Sequence, residues 1–347
     1  NYEMTTRSEW PTEGYVFNSK LSKCENGGEL SWDDTNKKVL MSGNVSDKCY
    51  VYFDIYVPPT IADFCNSGDT LATCVKNFGN QGTDMSNIYI HNSGLTNGAG
   101  DNSYRYAGAN PNNFVCFGTN TTPCPTDNLY RIIGVFGNQV KLIKYDYATS
   151  ALLGTDGDYK GTGTPNASYY KGSLTSINTY YWNKSTKKNT WSESELNKTN
   201  LNTNFITNIG TEWAAKIAET TWKVGGNTFA NIGTQPAKTA YQNEIVSPVT
   251  TNTTDGATEY SAKIGLMYVS DYMYAAPQDK WTLVGNGSAT TDYRAATSVN
   301  WMYMGFGDWT ISRIADNSSS VFGMYSTGYV DYGYVGGNSG CRPSFSL

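Results

Sequence analysis

The chain ends in the stretch DWTISRIADNSSSVFGMYSTGYVDYGYVGGNSGCRPSFSL, residues 308–347. Four short runs in it have the apolar and aromatic composition of β-strands: Asp308–Ile311, Val321–Tyr325, Tyr329–Val335 and Arg342–Phe345. Clusters of Ser, Thr, Gly and Asn lie between these runs and favour tight turns. The stretch therefore predicts a β-meander of four strands.

Upstream of the meander, the sequence predicts strands mixed with helices. The segments Tyr130–Phe136 and Val140–Tyr145 predict a hairpin, because a Gly-Asn turn separates two apolar runs. Ser192 begins a capping-box pattern for one helix, and Thr211 is a candidate N-cap for a second helix that ends near Lys223. Helices that lie between sheets indicate an α+β fold.

A strand and a short helix are predicted between those helices and the meander. After a Thr- and Asn-rich loop at Thr250–Gly256, the segment Ala262–Val269 predicts a buried strand. Asp271 then predicts the cap of a short helical turn.

We expect three parts along the chain. Residues 1–57 predict a small β module, in which short apolar runs alternate with Asn-Gly and Asp-Asn turns. Residues 58–87 begin with two prolines, which cannot continue a sheet, and predict a helical connector. Residues 88–347 form the larger domain.

Bulk composition narrows the class of protein. Charged residues make up only 16% of the 347 residues and aromatic residues 14%, with 27 Tyr, which is typical of a β-rich secreted protein. The net charge is −5 and the basic residues are scattered, so nucleic acid and anionic lipid are poor partners. No apolar run approaches the ~20 residues that span a bilayer. We expect no membrane insertion, and an anchor upstream of Asn1.

Seven cysteines form three local pairs and one remainder. Cys341 is the remainder, and the predicted disulfide pairs are Cys24 with Cys49, Cys65 with Cys74, and Cys116 with Cys124. Such bonds persist where thiols are oxidised, so they favour an extracellular or cell-surface protein over the alternative of seven reduced cysteines. Zinc is a weaker alternative, because there is no C-x-x-C and only one histidine.

Several strings resemble a family of exported surface proteins from gut Firmicutes and Mollicutes-like bacteria. They are DNSYRYAGANPNNFVCFG (Asp101–Gly118), LYRIIGVFGNQVKLIK (Leu129–Lys144), YSAKIGLMYVSDY (Tyr260–Tyr272) and the segments DWTISR, GYVDYG and RPSFSL of residues 308–347. The N-terminal strings PTEGYVFNSKLSKCENG and SDKCYVYFD resemble modules that recur in the same proteins.

The meander with its terminal Gly-x-Arg-Pro pattern also resembles a C-type-lectin-like fold. That fold occurs in Fibrobacter-type paralogous domains, in formylglycine-generating enzymes and in the variable proteins of diversity-generating retroelements. The resemblance implies a C-type-lectin-like domain at residues 88–347, whose last strands display a binding patch. Cys341 departs from the hydrophobic residue expected before Arg-Pro in this family.

The meander is also the predicted ligand-binding surface. Tyr, Ser, Gly and Asn are the residues of adaptable binding surfaces, because Tyr buries a large area at little entropic cost. The period of two places Tyr329, Asp331, Gly333 and Val335 on one face of a strand, with Val330, Tyr332 and Tyr334 on the other. The predicted site residues are Arg313, Asp316, Asn317, Ser319, Tyr325, Tyr329, Asp331, Tyr332, Tyr334 and Asn338. An ordinary sheet with half-buried tyrosine pairs is the alternative.

No assembled catalytic, cofactor or metal site is predicted. His91 is interpreted as an exposed loop histidine, Cys341 as a core or variable cysteine, and Arg342 as a buried structural anchor. The loop Asp156–Asp158 lacks the distal Glu of a calcium loop. An aromatic platform for glycans stays open, with candidate residues Trp182, Trp191, Trp281 and Trp301.

The sequence therefore favours a non-catalytic surface protein that binds a protein receptor or a glycan, with a diversified retroelement variable protein as one form of it. The alternatives are a calcium-independent carbohydrate-binding module and a structural surface-layer or pilus-like component.

Overall fold

The computed structural model describes residues 10–11, 13–43, 46–228, 234–249 and 257–347, and contacts divide the chain into residues 1–59 and 60–347. The loop predicted at Thr250–Gly256 lies outside the described residues. Helix makes up 21% and strand 28%, so the fold is α+β as the sequence predicts.

The N-terminal unit consists of three antiparallel strand pairs. Strand β1 pairs with β6, β2 with β5 and β3 with β4. Their bounds are β1 Tyr15–Phe17, β2 Lys23–Cys24, β3 Glu29–Asp33, β4 Lys38–Ser42, β5 Cys49–Tyr50 and β6 Phe53–Ile55. The Cys24–Cys49 disulfide joins register partners of β2 and β5. The rings of Phe17, Trp32 and Phe53 pack together in this unit, with Phe17 and Trp32 stacked.

The largest sheet of the second unit has the order β17-β22-β11-β10-β8-β7, and β9 also pairs with β10. Its strands are β7 Ile88–Ile90, β8 Tyr104–Tyr106, β9 Phe114–Cys116, β10 Leu129–Phe136, β11 Gln139–Lys144, β17 Ile264–Gly265 and β22 Ser344–Ser346. The hairpin of β10 and β11 confirms the predicted one. Its apolar residues are buried on both faces, which explains the continuous hydrophobic runs in its sequence.

A four-stranded sheet has the order β15-β18-β19-β20. Its strands are β15 Gly226–Asn227, β18 Asp308–Ile314, β19 Ser320–Met324 and β20 Val330–Tyr334. The smaller sheets are formed by β12 Tyr159–Gly163, β13 Ile177–Tyr181 and β21 Asn338–Ser339, and by β14 Thr220–Lys223 with β16 Glu259–Ala262. Three predicted strands of the meander are therefore consecutive antiparallel neighbours.

The fourth strand predicted for the meander joins a different sheet. Strand β22 begins at Ser344, and Phe345 is the register partner of Leu142 on β11 and of Ile264 on β17. Phe345 has no exposed surface, and its ring packs against those of Phe117 and Tyr130. Burial of this aromatic side chain in the larger core stabilises the distant pairing over the local one.

Short helices connect the sheets. The α-helices are α1 Leu71–Gly79, α2 Thr83–Ser86, α3 Ser150–Leu153, α4 Ile206–Asn208, α5 Thr211–Ala214, α6 Ala237–Tyr241 and α7 Val269–Tyr274. The 3-10 helices are Ile61–Phe64, Thr126–Asn128, Trp191–Glu193, Gln278–Lys280 and Tyr293–Ala296, and the π-helices are Leu196–Phe205 and Gln242–Val246. Helix α1 packs on β7, β8, β10 and β11, so residues 60–87, predicted as a connector, belong to the larger unit.

Two helix boundaries differ from the predicted ones. The helix predicted from Ser192 begins at Leu196, and the hydroxyl of Ser194 accepts a hydrogen bond from the Asn197 N–H. The helix predicted from Thr211 to Lys223 ends at Ala214, and the end of the predicted segment forms β14, where the β-branched Thr220 and Thr221 favour a strand.

The strand predicted over Ala262–Val269 is also shorter than expected. Strand β16 ends at Ala262, β17 covers only Ile264–Gly265, and Val269 already begins α7. Asp271 lies inside α7, where it accepts a hydrogen bond from the Tyr268 N–H at 2.9 Å. Asp271 is therefore the third residue of α7 and not its N-cap, and its carboxylate binds the backbone N–H of the residue that precedes the helix.

Candidate functional site

Two features of the C-terminal hairpin determine the positions of its tyrosines: the alternation of side chains between the two strand faces, and one tight turn. Strands β19 and β20 pair from Ser320 with Tyr334 to Met324 with Val330. In the turn between them, Gly328 has a φ of +99°, and a Cβ there would lie 2.2 Å from Thr297 Cγ2. Only glycine fits this position without strain. The turn thus holds Tyr325 and Tyr329 beside each other.

Strand β20 turns Tyr332 and Tyr334 towards solvent. Their exposed fractions are 43% and 47%. Gly333 between them lies on the ring of Trp309, since a Cβ at Gly333 would be 2.6 Å from that ring. Because Trp309 occupies the inner face of the hairpin, the two neighbouring tyrosines occupy the outer face.

Tyr325 and Tyr329 form a stacked pair in the turn that ends this hairpin. Their ring centroids are 4.8 Å apart with an interplanar angle of 18°, and Tyr325 is 42% exposed. The guanidinium of Arg294 lies 4.8 Å from the Tyr329 centroid and is bonded to Asp292 at 2.5 Å. Partial burial raises the pKa of both phenols, so each remains a neutral hydrogen-bonding group.

We call Arg294, Tyr325, Tyr329, Tyr332 and Tyr334 the tyrosine surface. Arg294 was missed from the sequence, because it lies outside the hairpin, on the 3-10 helix Tyr293–Ala296, and no local pattern marks it. A stacked Arg on an aromatic ring contributes about 0.5–1 kcal/mol at exposed sites. The surface therefore combines two exposed rings with one stacked pair.

The other predicted binding residues divide into three groups. Asp331 is half-buried, and its carboxylate accepts from the Tyr332 N–H beside the tyrosine surface. A turn at the Tyr334 end of the hairpin holds three others, in which Asn317 accepts from the backbone and hydroxyl of Ser319, and Asp316 is exposed. Asn338 is exposed on β21, opposite Tyr181.

Arg313 is not on this surface. It is only 4% exposed, in the middle of the four-stranded sheet, where it pairs in register with Gly226 and Val321. Arg313 therefore lies apart from the exposed tyrosines, and its contact with a ligand stays a prediction. Its place in the sequence between β-strand residues gave no sign of burial, because arginine is rarely buried.

The proposed tryptophan platform does not exist either. Trp182, Trp191, Trp281 and Trp301 are between 0% and 4% exposed. Three of them also donate their indole N–H to a buried backbone carbonyl. Trp182 donates to Thr310, Trp281 to Ala276 and Trp301 to Tyr106. These tryptophans form the core, which is their commoner role.

His91 is buried, contrary to its interpretation as an exposed loop residue. Its Nδ1 accepts a hydrogen bond from the Ala99 N–H at 3.0 Å, and its ring packs against Tyr274 and Trp281. Burial, aided by the nearby Arg105 charge, lowers the pKa of His91 to about 2. The imidazole therefore stays neutral at physiological pH, held between aromatic rings.

Cys341 and Arg342 occupy the core as predicted. Cys341 has no exposed surface, and burial raises the pKa of its thiol. Arg342 donates to Asp308 at 2.5 Å and to the Met302 carbonyl at 2.8 Å. Burial nevertheless raises the pKa of Asp308 to about 6. These residues anchor β22 and the start of β18.

Potential metal ligands converge at one point among the described residues, Cys24, Asp47 and Cys49. Both sulfurs belong to a disulfide, so neither is a thiolate ligand. The Asp156–Asp158 loop is structural, since Asp158 accepts from the backbone N–H groups of Lys184 and Leu196. The disulfides Cys65–Cys74 and Cys116–Cys124 complete the three predicted pairs.

Comparisons with known proteins return no family model, no curated protein and no solved structure that matches this chain. Within the described ranges, no helix has the length and apolar character to cross a bilayer. The three disulfides fit an extracellular or secreted protein.

Proposed function

We propose that this chain is a non-catalytic, surface-displayed binding protein that engages a protein receptor through the tyrosine surface. The observation that carries the proposal is the exposure of Tyr332 and Tyr334 two residues apart on β20, with the stacked pair of Tyr325 and Tyr329 in the adjoining turn of the hairpin. Exposed aromatic clusters on a rigid sheet are costly to keep in water unless a partner covers them.

Composition favours a protein as the partner. Tyr and Arg are the residues most enriched at the energetic centres of protein interfaces, and small polar residues surround them. The turn of Asp316, Asn317 and Ser319 supplies such polar groups at one end of the hairpin. The stacked and hydrogen-bonded neighbours also restrict Tyr325 and Tyr329 before binding, which lowers the entropic cost of association.

A C-type-lectin-like fold for residues 88–347 and surface anchoring by a segment upstream of Asn1 are parts of the same proposal. If the chain is a variable protein of a diversity-generating retroelement, its gene should also vary between isolates. Sequences from several isolates should vary at exposed positions of the hairpin and its turns, such as Asn317, Tyr332, Tyr334 and Asn338, and should keep Arg313 and Trp309. Uniform variation along the chain would contradict diversification.

The test of receptor binding uses fluorescent protein on intact cells. We expect the Tyr332→Ser/Tyr334→Ser variant to bind roughly 30-fold more weakly than the wild type, since hot-spot residues contribute ~2 kcal/mol or more. Tyr169→Ser is the matched control, because Tyr169 is 39% exposed and lies outside the tyrosine surface. Treating the cells with protease before the assay should abolish wild-type binding.

Two outcomes would count against the proposal. Equal loss in Tyr169→Ser and in the double variant would show a general effect of the substitutions. Loss of binding after glycosidase treatment alone would favour a calcium-independent carbohydrate-binding module. That second function has one observation in its favour, the two exposed rings two residues apart on one strand face, about 7 Å along the chain.

A further inference from the structure

A cleft of about 210 Å³ lies in the larger unit, away from the tyrosine surface. The hairpin of β10 and β11, the strand β14, the helical segment 241–245 and the start of α7 contribute its walls. Natural interiors rarely hold voids larger than a few water molecules, so a cleft of this volume beside buried charges is a candidate ligand site.

The floor of the cleft is a buried ion pair. Lys141 Nζ donates to Asp271 Oδ2 at 2.5 Å, and the side chains are 9% and 2% exposed. Asp271 Oδ2 also accepts from the Tyr268 N–H, and Oδ1 lies 3.6 Å from an Arg105 nitrogen. The carboxylate is thus satisfied by its own protein neighbours.

The ammonium of Lys141 is not saturated in the same way. An ammonium has three donors, and among the described residues Asp271 is the one hydrogen-bond acceptor of Lys141. Aromatic rings also surround it, with the centroids of Tyr268 and Trp222 at 4.4 Å and 5.4 Å, and the charges of Arg105 and Glu244 lie near enough to act on it. The unused hydrogen-bonding capacity at the floor is therefore donor capacity, and it suits an anionic acceptor.

Arg105 lies beside the ion pair and is itself paired with Asp101, so the two cations of the floor are balanced by two carboxylates. It is 2% exposed and donates to Asp101 and Ser103, both at 2.8 Å. Its guanidinium lies 4.6 Å from the Phe136 ring and 5.2 Å from the Tyr241 ring. Burial lowers the pKa of Lys141, an effect that a bound anion would reverse.

The walls define the body of the ligand. Phe136, Trp222, Tyr241 and Tyr268 line the cleft and offer aromatic surface on several sides. Pockets for drug-sized molecules occupy about 300–1,000 Å³, so this cleft suits a smaller ligand. We infer that the cleft binds a small carboxylate with a flat apolar or aromatic body, about the size of an aromatic amino acid, with its carboxylate on Lys141.

The test compares two probes with the same carbon skeleton, 3-phenylpropionate and 3-phenylpropan-1-ol, by ligand-observed NMR and calorimetry on the full chain. We expect the carboxylate to bind about tenfold more tightly than the alcohol, because its charged oxygens accept a stronger hydrogen bond from the Lys141 ammonium than a hydroxyl does. Equal binding of the two probes, or no binding of 3-phenylpropionate at millimolar concentration, would overturn the inference.

Two variants assign the binding to the cleft. Lys141→Met/Asp271→Asn removes both charges together and keeps an oxygen acceptor for the Tyr268 N–H, and it should abolish the preference for the carboxylate. Thr221→Trp leaves the charges intact and fills the mouth of the cleft from an exposed position on β14, so it should block both probes. Thr162→Trp, at an exposed position on β12 outside the lining, is the control.

The two variants protect the test from a folding artefact. If the charge variant does not fold, the thermal transition and probe binding of Thr221→Trp still decide the question. Retained carboxylate preference in a folded Thr221→Trp or in the charge variant would place the binding elsewhere and reject the inference. Cell binding through the tyrosine surface is expected to remain unchanged in both.

Discussion

The two units of this chain are held together in different ways. In the N-terminal unit, none of the described residues among 10–59 is buried, and several apolar side chains are largely exposed, Ile55 at 73% and Val57 at 76%. In the larger unit, one continuous cluster of buried residues runs from Ala72 to Phe345. Small folds that cannot bury enough surface depend on covalent bonds, whereas larger ones depend on packing and on satisfied polar groups.

The comparison predicts that the larger unit is most vulnerable at its buried charges. Arg342→Met leaves the Asp308 carboxylate buried without its main partner, so we expect unfolding free energy to fall by about 3–5 kcal/mol. Because burial already raises the pKa of Asp308 to about 6, the loss should be larger at pH 8 than at pH 5, where the carboxyl gains a proton.

Urea unfolding followed by tryptophan fluorescence measures this effect. Lys198→Met is the control, because Lys198 forms an exposed ion pair with Glu195 and should change stability by less than about 0.5 kcal/mol. A similar small change for Arg342→Met would mean that the core tolerates an unpaired carboxylate and that packing alone holds this unit.

The N-terminal unit should fail when its disulfide is removed. Cys24→Ser/Cys49→Ser opens a link between residues 25 apart in sequence, which we expect to cost ~2–4 kcal/mol and to unfold this unit alone. Limited proteolysis with mass spectrometry should then show rapid cleavage before Pro59, while the thermal transition of the larger unit persists.

The same substitution in the larger unit provides the control. Cys116→Ser/Cys124→Ser removes a link between residues 8 apart, in a loop next to a packed core, and should leave proteolysis of both units near the wild-type rate. If the N-terminal unit of Cys24→Ser/Cys49→Ser remains resistant to protease, then its aromatic cluster of Phe17, Trp32 and Phe53 is sufficient for folding.

The features predicted correctly from the sequence are local ones. The Gly-Asn turn determines the hairpin of β10 and β11, and the short spacing of cysteines indicates the three disulfides. The exposed alternation on β20 follows from a period of two. A period of two shows which residues share a face, but it does not identify the partner strand, so the pairing of Phe345 with Leu142 was missed.

The cleft could not be predicted for the same physical reason. Its ion pair joins Lys141 to Asp271, and its aromatic walls come from Phe136, Trp222 and Tyr268 on separate elements. In the sequence these are isolated residues without a motif. Long-range packing, which no single segment specifies, brings them together.

The smallest effect that we expect from the difference between the two units is the pH dependence of His91, the one histidine of the chain. An exposed histidine would titrate near pH 6.5. In the larger unit, the buried ring accepts from the Ala99 N–H, and its pKa is lowered to about 2. Its ring-proton NMR signal should therefore keep one chemical shift between pH 8 and pH 5.

The sign of the accompanying stability change follows from the same pKa. The unfolded chain takes up a proton at His91 below about pH 6.5, and the folded chain does not, so acidification favours unfolding through this group. A midpoint near 6.5 in the NMR titration of the folded protein would mean that the loop 91–99 opens to water. In that case the larger unit, like the N-terminal unit, would contain a segment whose side chains are not protected from water.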